Sequence, residues 1–146
     1  MVKKGQPDYG NIRVFVYGTL KTKNGNNALL REAGARFLGY DYVEVPRAKF
    51  LDLGFFPGVI QPIQDGDTAI VRGEIWYGPQ EILTNLDIME GHPNFFRREK
   101  VWSKIHERRC WMYSLPERHL DESTDEVQQG LWRPSKDEER FWEKQA

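Results

Sequence analysis

The chain has 146 residues, with 21 Lys and Arg against 22 Asp and Glu for a net charge of −1, which fits one soluble domain and lacks the basic excess of a protein that tracks nucleic-acid phosphates. Hydrophobic residues make up 39%, enough for one core, yet no window approaches the roughly 18 apolar residues that cross a bilayer. The single cysteine, Cys110, excludes a disulfide within the chain. With Lys3-Lys4 followed by no apolar run, it makes the cytoplasm the expected compartment.

Residues 1–11 read as a polar leader. Arg13-Val14-Phe15-Val16-Tyr17 is apolar at consecutive positions and predicts a central strand buried on both faces, ended at Gly18. Lys21 to Asn27 reads as loop, with Asn26 or Asn27 expected to cap a short helix over residues 28–33 that stops at Gly34. Short strands are expected over 37–40, 42–45 and 48–51. Phe55 to Ile60 carries a Pro57-Gly58 turn, and Gln64 to Asp67 is a second turn. Val71 to Tyr77 is a further strand, ended by Gly78-Pro79. Pro79 is placed as the first residue of a helix that runs to Glu90 and stops at Gly91. Strands over 96–105 and 110–115 follow, joined at Glu107-Arg108.

From Glu117 the composition changes. Residues 117–146 hold nine Asp and Glu and five Lys and Arg, a net of −4 against +3 for the rest. Ser135 is expected to cap a last helix through Glu143, with Glu138 as its capping-box partner. Leu131, Trp132, Phe141 and Trp142 are expected to dock this tail on the body. The division is therefore a leader (1–11), a domain (12–116) and a charged extension (117–146).

Two segments point to chemistry. At about 100° per residue, Glu90 falls between Leu83 and Leu86, inside the apolar arc of its helix. A carboxylate there loses hydration and its pKa rises, and the negative end of the helix dipole pushes the same way. A Glu tuned towards neutrality suits proton transfer. The alternatives are a Glu90 turned outward, or one paired with Arg97 or Arg98. In the second segment, Val16 to Leu20, a buried strand ends in a Gly turn whose N–H groups lack ladder partners and can face an anion.

Taken together, Tyr17-Gly18-Thr19-Leu20 and Leu86-Asp87-Ile88-Met89-Glu90-Gly91-His92-Pro93, with Phe96 to Val101 after it, resemble the γ-glutamylcyclotransferase-like family, AIG2-like branch. Phe56-Pro57-Gly58-Val59, Val71 to Trp76 and Trp111-Met112-Tyr113 match its middle and its closing strand, so the likeness spans residues 12–115 in order. The resemblance implies an α+β fold: a small mixed β-barrel with flanking short helices and a cavity at one end. It implies Glu90 as general acid/base of a cyclotransferase that releases 5-oxoproline and a free amine from a γ-glutamyl amine or amino acid, with no cofactor. It further implies Tyr17, Gly18, Thr19 and Leu20 as a substrate loop, and Pro57, Gly58 and Tyr113 as substrate-binding residues. Phe96 stands where that pattern commonly has a Tyr. The rival reading is a non-catalytic member of the fold that binds a small molecule or a protein.

The remaining candidates read more plainly. Cys110 is expected to be a quiet thiol, and His92, His106 and His119 show no metal-ligand spacing with it. Asp87 is expected at the helix edge as a supporting group at best. Neither nucleic acid nor a membrane is expected as a partner, and the oligomeric state is not legible.

Overall fold

The structure is a computed structural model and describes residues 10–145. Its elements are β1 (Asn11–Val16), α1 (Asn27–Glu32), β2 (Arg36–Val45), β3 (Lys49–Asp52), β4 (Pro57–Ile60), β5 (Ala69–Pro79), α2 (Ile82–Glu90), β6 (Arg97–Ser103), β7 (Arg108–Ser114) and α3 (Lys136–Gln145). The fold is mixed α+β. Most of the leader expected over 1–11 lies outside the described residues, and Asn11 already begins β1.

Five strands form a mixed sheet in the order β2-β5-β1-β7-β6, and β3 pairs with β4. β1 is the middle strand, antiparallel to β5 and parallel to β7. Its apolar run is continuous because both faces are covered. Val14 and Val16 join one core with Leu30, Leu86 and Leu115, while Phe15 and Tyr17 join another with Val43, Phe50 and Met112. The edge strands β2 and β6 approach each other at one end, where the N–H of Lys104 bonds the carbonyl of Tyr42 at 3.0 Å. Leu115, just past β7, exchanges hydrogen bonds with Val59 and Gln61 and so joins the smaller sheet to the larger.

Several expectations move. The strands read over 37–40 and 42–45 are one ten-residue strand, irregular between Phe37 and Gly39. The polar Asp41 in its middle is fully buried because its carboxylate accepts the N–H groups of Tyr42, Ile105 and His106 and bonds His106 Nδ1 at 2.6 Å. It thereby clamps the β6–β7 turn onto β2, and the four hydrogen bonds hold its pKa below the ordinary value against the upward push of burial.

Pro79 does not start α2. It closes β5 opposite Asn11, and the helix begins at Ile82. Gly78 is there for packing, since a Cβ would lie 2.7 Å from Ile82 and 2.9 Å from Ala35. Pro57-Gly58 is not a turn but the start of β4, fully buried, with the bend falling just before it. Glu107 lies in the β6–β7 turn with φ of 55°, while Arg108 already belongs to β7.

The tail folds back along the body. Asp52 N–H bonds Asp125 O, and Val127 N–H bonds Phe50 O, which lays residues 125–127 beside β3. Trp132 is buried, and Phe141 and Trp142 pack against Tyr40 and Tyr42. Ser135 Oγ accepts the N–H of Glu138 at 3.1 Å, as an N-cap should. The Glu138 carboxylate does not close a capping box: it turns inward to Lys21 Nζ at 2.7 Å.

Candidate active site at the exit of the central strand

A cavity of about 310 Å³ opens where β1 ends. Tyr17, Gly18, Thr19 and Leu20 form one wall, and Pro57, Glu90 and Tyr113 face the same space. The parallel pairing of β1 with β7 brings Tyr113 to the same end as Tyr17. Seven of the eight residues singled out by sequence therefore border one cavity. Gly58 does not border it. Its place is structural, because a Cβ there would lie 2.9 Å from Leu115.

The loop is held by its carbonyls and side chains. Gly18 O accepts Lys21 N–H, and Thr19 O accepts Asn26 N–H. Asn26 Nδ2 donates to Thr19 Oγ1 at 2.9 Å, and Asn27 Nδ2 donates to Leu20 O at 2.8 Å. Neither asparagine caps α1 through its side chain, as the sequence had suggested; both anchor the loop. The N–H groups of Gly18, Thr19 and Leu20 find no acceptor among the described residues. They are donors left for an incoming anion or oxyanion. Gly18 itself is required by closeness: a Cβ would sit 2.8 Å from the Pro57 ring.

α2 ends as its Gly91 predicts. Gly91 adopts φ of 68°, its N–H bonds Ile88 O, and His92 N–H bonds Asp87 O, the two bonds of a Schellman cap. This fixes Glu90 in the last turn, with its carbonyl accepting Phe96 N–H at 3.1 Å. Glu90 is half-buried, and its carboxylate has no hydrogen-bond or ion-pair partner among the described residues. Neither arginine weighed from the sequence reaches it. Arg98 donates twice to Asp87, at 2.8 and 3.2 Å, and Arg97 lies 3.5 Å from Glu99 while donating to Gln61 O. Desolvation alone pushes the Glu90 carboxyl up to about 7.

Asp87, one turn earlier, is treated in the opposite way. Burial pushes its pKa up, but Arg98 and the Tyr113 hydroxyl, at 2.5 Å, outweigh that and hold it below the ordinary range. The Tyr113 hydroxyl is thereby committed, and burial with the Asp87 carboxylate beside it raises its pKa. The Tyr17 hydroxyl is committed too: it donates to Tyr113 O at 2.7 Å and accepts Val59 N–H. Tyr17 borders the cavity but serves to tie β1, β4 and β7 together.

Residues that the sequence did not assign to the site, apart from Phe96 as the place of a missing hydroxyl, complete the walls. Phe56, Phe95 and Phe96 stack edge to face, with ring centroids 5.2 to 6.2 Å apart. Met89 and Asn26 join them, and Phe55 stands at the mouth with 91% of its surface exposed. The run Asn94-Phe95-Phe96 after a helix stop was the available signal for this wall. Cys110 lies elsewhere, fully buried beside Arg108 O, and burial pushes its thiol up to about 11. His106 is bound to Asp41, so the two make no nucleophile and base pair. No three His, Cys, Asp or Glu side chains converge as a metal-holding group among the described residues. No helix there is long and apolar enough to cross a membrane.

Comparison with known proteins agrees with the geometry. Residues 14–134 match the family described as gamma-glutamyl cyclotransferase, AIG2-like. A Vibrio cholerae protein named provisionally as a γ-glutamylcyclotransferase is 31% identical over 106 residues, 73% of this chain and 84% of its own length. A Citrobacter rodentium protein named as a member of the γ-glutamylcyclotransferase family, ytfP, is 28% identical over 102 residues, 70% and 80% of the two chains. The crystal structure of an AIG2-like protein from Mus musculus superposes with a TM-score of 0.67 at 20% identity, over 88% of this chain and 99% of that one. Match, relatives and fold together make this chain a member of the AIG2-like gamma-glutamyl cyclotransferase family.

Proposed function

We propose that this protein is a cyclotransferase that converts a γ-glutamyl amide to 5-oxoproline and a free amine, with Glu90 as its acid/base. The observation that carries this reading is an unpaired carboxyl, raised to about 7, in the same cavity as three unengaged main-chain donors.

The chemistry asks for little else. The substrate's α-amino nitrogen attacks its own γ-carbonyl carbon and closes a five-membered lactam. An ammonium has no lone pair, so a proton must leave first, and ionised Glu90 takes it. The new C–N bond forms as the carbonyl oxygen takes up negative charge, for which the N–H groups of residues 18–20 are suited donors. The carbon–nitrogen bond to the leaving amine then breaks as protonated Glu90 gives its proton to that nitrogen; ionised again, Glu90 takes the second proton still on the attacking nitrogen, which leaves a neutral lactam N–H, and passes it to the released amine. Attack and departure occur at one carbon, so a single carboxyl serves both steps. A pKa near ambient pH suits a group that must give the proton back. The loop donors also hold the substrate's α-carboxylate, and the folded conformation they impose supplies part of the rate as orientation.

The test is a panel of γ-glutamyl amines and γ-glutamyl amino acids, read by release of 5-oxoproline. The wild type is expected to turn over at least one compound. Glu90→Gln, nearly isosteric, is expected to lose about 10²- to 10⁴-fold in rate while its circular dichroism is unchanged. Full rate in the variant would remove Glu90 from the role.

A further inference from the structure

We infer that Glu138, through its ion pair with Lys21, is a positioning residue for this site: it sets the orientation of the turn over residues 18–21, whose unengaged N–H groups face the cavity. This rests on the cyclisation reading and adds to it a determinant of rate that lies outside the cavity.

Lys21 belongs to the turn by its backbone and to the interior by its side chain. Its N–H bonds Gly18 O at 3.0 Å, so it closes the turn that presents the N–H groups of Gly18, Thr19 and Leu20. Its side chain does not border the cavity and is fully buried. There the ammonium meets Glu138 Oε1 at 2.7 Å and Trp132 O at 2.6 Å. One residue on, Thr22 gives its N–H and its hydroxyl to Glu74 of β5. That tie begins past the turn, whereas Lys21 fixes the turn itself to the tail.

The far end of the pair is fixed too. Ser135 Oγ holds the Glu138 N–H at 3.1 Å, and the Trp142 indole N–H donates to Glu138 Oε2 at 3.4 Å. Phe141 and Trp142 pack against Tyr40 and Tyr42 of β2, with ring centroids 5.1 and 6.2 Å apart. A continuous line of contact therefore runs from β2 through α3, Glu138 and Lys21 to the turn. α3 lies past residues 14–134, the part of the chain that matches the family, so the counter-ion comes from outside that match.

Two charges taken out of water are held in one geometry, because any departure leaves an ammonium or a carboxylate without a partner in a low-dielectric interior. An apolar pair could fill the same space as stably, but it would fix neither a direction nor a length. Direction matters here. A hydrogen bond to a developing oxyanion weakens steeply as its N–H turns away, and a displacement of about 1 Å caused by a distant change can cost about 100-fold in rate. Neither Lys21 nor Glu138 borders the cavity, so the effect falls on the donors and not on Glu90.

The experiment uses the full chain and the γ-glutamyl compound it turns over best. Lys21→Met with Glu138→Leu is assayed for kcat, KM and the pH dependence of 5-oxoproline release, beside urea unfolding. Stability is expected to stay close to wild type while kcat falls at least about tenfold, with the pH midpoint near 7 unmoved. An ion pair that only stabilises the fold would leave kcat unchanged once stability is restored, and that result would overturn the inference. A moved midpoint would place the effect on Glu90 and overturn it as well. Should the apolar pair fail to fold, Glu138→Asp decides. It keeps the charge, shortens the reach to Lys21 and is expected to lower kcat; full kcat in that variant overturns the proposal. Should the wild type release no 5-oxoproline from any compound, the cyclisation reading fails on its own. The amide resonances of Gly18 and Thr19 then decide the positioning role. Shifts or broadening in the variant, with those of Leu83 and Leu86 in α2 unchanged, support it; unchanged loop resonances overturn it.

Discussion

The two sides of the loop over residues 17–22 handle buried charge in opposite ways. Behind it, Lys21 is fully buried yet satisfied: its ammonium meets Glu138 at 2.7 Å and Trp132 O at 2.6 Å. Glu74, next to it, accepts Thr22 N–H, the Thr22 hydroxyl and Trp76 Nε1 on one oxygen. In front of the loop, Glu90 has no such partner. Burial raises the pKa of both Glu74 and Glu90, but only Glu90 opens onto a cavity. Burial of a carboxylate is thus a poor guide to its task. Its partners and its access to a cavity separate scaffold from chemistry.

That contrast can be broken from the back first. Glu138→Ala leaves Lys21 buried and unpaired, and is expected to cost about 3–5 kcal/mol in urea unfolding. Lys21→Met with Glu138→Leu, which removes both charges, should recover most of that loss. Near-wild-type stability in Glu138→Ala would mean that α3 does not hold the loop. From the front, the sign reverses. Well below about pH 4.5 the Glu90 carboxyl is neutral in the folded and unfolded chain alike. As pH rises the unfolded chain ionises first, while the folded carboxyl resists until about 7, so folded stability falls across that window and stays lower above it. Glu90→Gln escapes the loss. It should match the wild type at pH 4 and exceed it at pH 8 by roughly 2–3 kcal/mol, read from denaturant midpoints. No gain at pH 8 would indicate a carboxylate that is solvated or paired.

The fold and the front of the site were largely legible. The apolar run of β1 could only be an interior strand, and Gly91 marked the helix end that fixes Glu90. The pattern of α2 placed that carboxylate on the apolar face. The back was not legible. Nothing local marks Lys21, inside a polar stretch, as buried, because its partner Glu138 lies 117 residues away. Asp41 interrupts an apolar strand, and only the distant turn at Ile105 and His106 makes its burial acceptable. Pro79 fits a helix start as well as a strand end, and the pairing with Asn11 decides it. Phe95 looked like an ordinary apolar residue until the cavity gave it a side to face, whereas Phe96 was already marked as standing where a Tyr is common.

The smallest expected effect concerns Cys110. It is buried, its thiol is raised to about 11, and it lies outside the cavity. Cys110→Ala should leave the rate of 5-oxoproline release within about twofold and cost about 1 kcal/mol of stability, the typical size for a point mutant. A large drop in rate would move the chemistry away from Glu90.

The most direct test of the account is the pH dependence of kcat/KM for 5-oxoproline release between pH 5 and 9. With ionised Glu90 as the base, the rate should climb with a midpoint near 7 and then level off, and this limb should vanish in Glu90→Gln. A profile that is already flat at pH 5, or one that survives the substitution, would contradict it.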